Sequence, residues 1–144
     1  MENTTQAPAA PAANAAPLAG LYRACGTVGN AGMPGAPILH YSLLVNAPTG
    51  AVSGVVHITQ AIPGPGSNIT VNVKGQIRGL GFGPVTKLVS LEGEYVQSVP
   101  PPAIGSYLGK LTAHLAVDNN WNGRGGFEYG QQHVEDVPVK PTAC

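Results

Sequence analysis

Glu92 and Glu94 are the residues whose types and spacing point most directly at chemistry. One residue apart on an extended strand, they share a face with about 7 Å between them, a separation compatible with a carboxylate pair for glycoside hydrolysis. A solvated strand face produces the same spacing, and two exposed charges on a hairpin are the commoner arrangement. Histidine is the next candidate. His40, His57, His114 and His133 contain no His-x-His or His-x-x-x-His pair, the spacings that set two imidazoles on one face, so no metal site is expected. His114 reads as solvated, while His40, opposite the Tyr41 face, and His57, between Val56 and Ile58, read as half-buried side chains with one hydrogen bond each. A serine or cysteine nucleophile with a histidine and a carboxylate could assemble from distant positions, but nothing local supports one. No cofactor is implied.

Two glycine-rich stretches and the aromatic residues complete the candidates. Gly79-Leu80-Gly81-Phe82-Gly83 looks like a nucleotide loop only superficially, because no helix pattern follows to aim an N-terminus at phosphate; it reads as a hairpin turn. Gly123-Arg124-Gly125-Gly126 reads as a bulged or bent strand, where missing side chains let another backbone or a ligand come close. A tyrosine or tryptophan ring with a polar tip suits a saccharide ligand. Tyr41 and Tyr95 fall on inward faces, which leaves Trp121 and Tyr129, with Arg124 between them, as the candidates for ligand contact.

Charge is scarce. Only 10% of the residues are charged, where about 25% is usual, and no Asp, Glu, Lys or Arg occurs between Arg23 and Lys74. Acid–base catalysis, carboxylate metal sites and phosphate binding all need charge at close quarters, so half of the chain offers only His40 and His57. The basic residues are scattered and net charge is zero, which argues against a nucleic-acid partner. No apolar run is long enough to span a bilayer as a helix. Residues 1 to 22 lack the basic and Leu-rich regions of a classical signal peptide, so the expected location is cytoplasmic, or outside by a non-classical route. Cys25 reads as a small buried hydrophobe and Cys144 as a mobile free thiol; the alternative is a bridge between them, worth about 4–5 kcal/mol through the long loop it closes.

The elements that must position these residues are strands. Ile69, Val71, Val73, Gly75 and Ile77 alternate with polar neighbours, as do Val89, Leu91 and Tyr95, and the intervening glycines join the two runs as a hairpin. Leu39 to Val45 and Ala51 to Ile62 form a second hairpin about Asn46-Ala47-Pro48-Thr49-Gly50. Leu111 to Val117 and Trp121 to Tyr129 form a third about Asp118-Asn119-Asn120. With an opening strand near Leu21 to Val28, the reading is an all-β fold: one antiparallel sandwich or barrel of about seven strands. Residues 1–19, rich in Ala and Pro, read as a disordered arm, 20–131 as the β domain, and 132–144 as an extended or loose tail.

Four segments carry a family resemblance: Val28 to Pro37 (VGNAGMPGAP), Leu43 to Gly50 (LLVNAPTG), Pro100 to Leu108 (PPPAIGSYL) and Trp121 to Gly125 (WNGRG). Together, over about Gly20 to Gly130, they resemble a family of small, mainly proteobacterial proteins known as a domain of unknown function. That resemblance implies a recurring module and brings no catalytic residue, cofactor or activity. The function expected is therefore non-enzymatic binding or assembly, with an unknown protein or small ligand as partner. A barrel enclosing an apolar or saccharide ligand is the alternative, and an unrecognised hydrolase the next. Weak homo-oligomerisation is expected because Leu39 to Gln60 carries no charge to defend a sheet edge.

Overall fold

Alternating side chains give each strand one apolar face, and a sheet of such strands hides both that face and its edges by rolling up on itself. The computed structural model describes residues 20–30, 32–33, 35–60, 68–79, 86–98 and 102–144. Its strands are β1 (Leu21–Val28), β2 (Ile38–Asn46), β3 (Ala51–Thr59), β4 (Asn68–Gly79), β5 (Lys87–Ser98), β6 (Ser106–Val117), β7 (Gly123–Tyr129) and β8 (Gln132–Pro141). Each is antiparallel to the next, and β8 returns to β1, so the eight form a closed barrel. The described residues contain no helix. The expected arm at residues 1–19, and the turn at Gly79 to Pro84 beyond Gly79 itself, lie outside the described residues.

All seven expected strands form, and the eighth is the difference. Residues 132–141, expected to be a tail outside a domain ending at 131, are the strand that completes the barrel. Its alternation is broken by a bulge. Val137 pairs with Gly125 and Val134 with Phe127, so Glu135 and Asp136 together face Gly126. Val134, Val137 and Val139 all turn toward the core although their spacing is three and then two. Asp136 takes a left-handed φ of 53° at this point. A side chain on Gly126 would run into the backbone carbonyl oxygen of Val134, so the bulge needs a glycine beneath it.

The cysteines correct the free-thiol expectation. Cys25 and Cys144 are bridged, with Cα atoms 5.4 Å apart. Pairing of Thr27 with Lys140 and a hydrogen bond from the Thr142 N–H to the Cys25 carbonyl (2.9 Å) carry the last residues along β1 to meet Cys25. Cys144 is therefore a disulfide partner and not a free thiol. Likewise, uncharged β2 and β3 present no edge, because each pairs on both sides.

Inside, Leu39, Leu43, Val56, Ile58, Val71, Val89, Leu111, Leu115 and Phe127 interdigitate as a continuous apolar core. Trp121 plugs one end. The Asp118 carboxylate accepts the N–H groups of Asn120 and Asn122, and its carbonyl accepts that of Trp121. That turn holds Trp121 at φ 64° and drops its ring into the barrel, 5.8 Å from Tyr41. Tyr95, Phe127 and Tyr129 fill the other end, the last two stacked at 5.9 Å. Buried side chains from all eight strands meet in this interior.

Candidate functional site

The three residues singled out from the sequence do not share a surface. Trp121 is fully buried and Tyr129 nearly so, at 0% and 3% exposure, so neither presents a ring to solvent. Arg124 points outward from β7, where its guanidinium donates to the carboxylate and the backbone carbonyl of Asp136 and clamps the bulge of β8. Gly123 and Gly125 let strands approach: a side chain at either would meet the carbonyl oxygen of Ala116 (2.0 Å) or of His114 (2.4 Å).

Polar chemistry gathers instead on the outer flank of β6, β7 and β8. His114 Nε2 lies 3.0 Å from the Glu135 carboxylate, and His133 bridges Glu128 at 3.4 Å and Glu135 at 3.7 Å. All four side chains are more than half exposed, between 52% and 61%, so water screens these pairs and each contributes little. No hydrogen bond joins a Ser, Thr or Cys side chain to His114 or His133 among the described residues. No group of three His, Cys, Asp or Glu that could hold a metal ion occurs there either. Glu92 and Glu94 both point outward on β5, Glu92 opposite Lys74 and Glu94 opposite Lys110. They border shallow outer depressions of about 720 and 530 Å³, which share Lys74 and Glu92. On β2 and β3, His40 and His57 are cross-strand neighbours with rings 6.5 Å apart, and His57 Nδ1 bonds the Thr70 hydroxyl at 2.8 Å. The turn at residues 46–51 fixes that pairing, so the sequence held the signal.

The least water-compatible surface lies elsewhere. β4 pairs with β5 only as far as Glu94, and β7 with β6 only as far as Leu111, yet β5 and β6 continue to pair through Ser98 and Ser106. The result is a two-stranded ribbon that leaves the barrel. Its outward face carries Val96 and Leu108, directly opposite each other and 69% and 68% exposed, while Tyr107, at 53%, is on its other face and Ile104, at 99%, lies nearer its tip. Isolated exposed apolar residues are ordinary; here four gather on one projection. At its base Gly109 lies under the Tyr95 ring, which a side chain there would strike at 2.3 Å.

The sequence model of a family described as a domain of unknown function, DUF1842, matches residues 19–134. The chain belongs to the DUF1842 family. No curated protein matches it. The matched span of this DUF1842 chain runs from the start of β1 into β8 and includes the whole ribbon. Glu135, Asp136 and Cys144 lie beyond it, so the His114–Glu135 pair, the Arg124 clamp and the disulfide each join a residue inside the span to one outside. No helix among the described residues of the DUF1842 barrel is long and apolar enough to cross a membrane.

Proposed function

We propose that this DUF1842 barrel works by binding or assembly through its outer surface, without catalysis. The observation that carries the reading is the ribbon, which exposes Val96, Ile104, Tyr107 and Leu108 beside a barrel whose interior is lined by buried apolar side chains. A barrel that enclosed an apolar or saccharide ligand would need volume where Trp121, Leu39, Leu43 and Phe127 stand. The hydrolase alternative gains three histidine–carboxylate pairs, all of them exposed and screened by water. A disulfide that ties the chain end to β1 persists in oxidising surroundings, so the compartment proposed is outside the reducing cytosol.

Trp121, the single tryptophan, is a built-in reporter on the interior. Titration with a long-chain fatty acid and with an oligosaccharide is expected to leave its emission and the melting temperature unchanged. A shifted emission together with a raised melting temperature would mean that a ligand enters the barrel, and the enclosed-ligand reading would replace this one.

A further inference from the structure

We infer that the partner of the ribbon is a second copy of this chain, joined through the outer edge of β6 about a two-fold axis at Leu108. The inference rests on the surface-binding reading above and names the occupant of that surface.

The edge from Ser106 to Lys110 is the segment of β6 that pairs with β5 but has no β7 strand beside it. Unpaired backbone groups on such an edge are a template for another strand, and closure of the barrel removes the strand pairings that β2 and β3 would otherwise offer. An antiparallel copy centred on Leu108 sets Leu108 beside the copy's Leu108, Ser106 beside its Lys110, and Tyr107 beside its Gly109. Every one of these juxtapositions is favourable or neutral. Because Val96 already faces Leu108 across the ribbon, the outward face of the joined sheet becomes an unbroken apolar row: Val96, Leu108, then Leu108 and Val96 of the copy. On the opposite face, Tyr107 meets the copy's Gly109, a position with no side chain of its own over which the Tyr95 ring lies, so two aromatic rings are brought together.

Charge fits the same register. Lys110 is the one charged residue on this edge, and the two-fold sets it against a serine rather than against another lysine. Net charge is zero, so no long-range repulsion opposes approach. Beyond Ser106, where β7 would obstruct the copy, the chain turns away at Gly105, whose φ of 137° favours glycine. A contact in which Leu108 meets itself is isologous and closes at two copies, so it yields dimers and not filaments. The edge is only five residues long, short of the roughly 800 Å² per partner of a standard interface, so the dimer is reversible, with dissociation in the range of about 10 µM to 1 mM.

The register can be tested by charge. Sedimentation velocity of the whole chain between about 10 µM and 1 mM should show a monomer–dimer equilibrium. Ser106→Asp adds two symmetry-related pairs with Lys110 and should tighten it about two- to fivefold, an effect that salt weakens. Ser106→Lys and Leu108→Lys should each loosen it at least tenfold, while circular dichroism and melting temperature show that the barrel is intact. A chain that stays monomeric at every concentration overturns the inference, as does association indifferent to the sign of charge at Ser106. Neither result touches the surface-binding reading, which stands or falls on the Trp121 titration.

Discussion

The β1–β8 seam and the β5–β6 ribbon are opposites in how a ladder is used. At the seam the ladder runs over only Gly26, Thr27 and Val28, flanked by single hydrogen bonds at Cys25 and Gly29, while β5 and β6 pair over twelve consecutive residues from Lys87–Val117 to Ser98–Ser106. Nevertheless the short ladder closes the barrel and the far end of the long one closes nothing. Backbone hydrogen bonds trade against bonds to water and contribute about 1 kcal/mol each, whereas a cross-link acts on the whole unfolded chain. The seam is short of pairs and has the Cys25–Cys144 bridge; the ribbon has pairs to spare and leaves apolar side chains in water. Length of pairing therefore tells little about what an element is for.

Breaking the bridge should have the largest effect. It spans a sequence separation of 119, and its loss through Cys25→Ser, or by reduction, is expected to cost about 4 kcal/mol, or about 10–20 °C of melting temperature. A fall under about 3 °C would mean that the three seam pairs hold the barrel alone. Alkali should act next, and on both ends of the core. Burial raises the pKa of Tyr22 and Tyr41, at the Trp121 end, and of Tyr95 and Tyr129, at the ribbon end. Each hydroxyl holds its proton in the fold when the unfolded chain would release it. Their contribution is therefore fully present below about pH 10 and is lost as pH rises above it. Melting temperature should be flat approaching pH 10 and fall beyond it, with the buried tyrosines ionising only as the chain unfolds. Ionisation at pH 10 without unfolding would show the core to be wet.

A point change in the barrel wall should come third. A side chain at Gly75 would meet the Ser90 carbonyl oxygen at 1.6 Å, so Gly75→Ala must displace the β4–β5 backbone, at a cost of about 2–3 kcal/mol. Equal stability of the variant would show that the strands have room to part.

Most of the wall was legible from the sequence because period-2 alternation is local: β2, β4, β5 and β6 announce themselves this way, and β1, β3 and β7 were read as runs that accompany them. The eighth strand was not. Its inward residues Val134, Val137 and Val139 fall out of period at the bulge, and its two prolines read as breakers. Missing β8 hid the rest: without it Glu135 cannot be placed beside His114, nor Cys144 beside Cys25. The burial of the aromatic candidates was hidden for a related reason. Trp121 sits in a turn, where alternation assigns no face, and the Asp118 turn that drives its ring inward is a matter of backbone geometry. Only the β5 arm of the ribbon was readable as strand; the alternation of β6 was read from Lys110 onward, so Ser106 to Gly109 were missed, and the departure from the barrel depends on where β4 and β7 stop pairing, a tertiary fact.

The smallest stability effect should come from the ribbon, and that near-absence is the sharpest test of the comparison. Leu108 and Val96 are more than two-thirds exposed, so Leu108→Ser removes little apolar area from any protein contact within one copy. Truncation of a buried leucine such as Leu111, three residues along the same strand and fully buried, should cost about 2–5 kcal/mol. At a concentration low enough for monomers alone, Leu108→Ser should move the melting temperature by less than about 2 °C, against roughly 10 °C or more for Leu111→Ala. At high concentration the difference between wild type and Leu108→Ser should grow, because association stabilises the fold only where the edge can pair. A large loss at low concentration would mean that the ribbon packs on the barrel and serves the fold, and the contrast between seam and ribbon would then vanish.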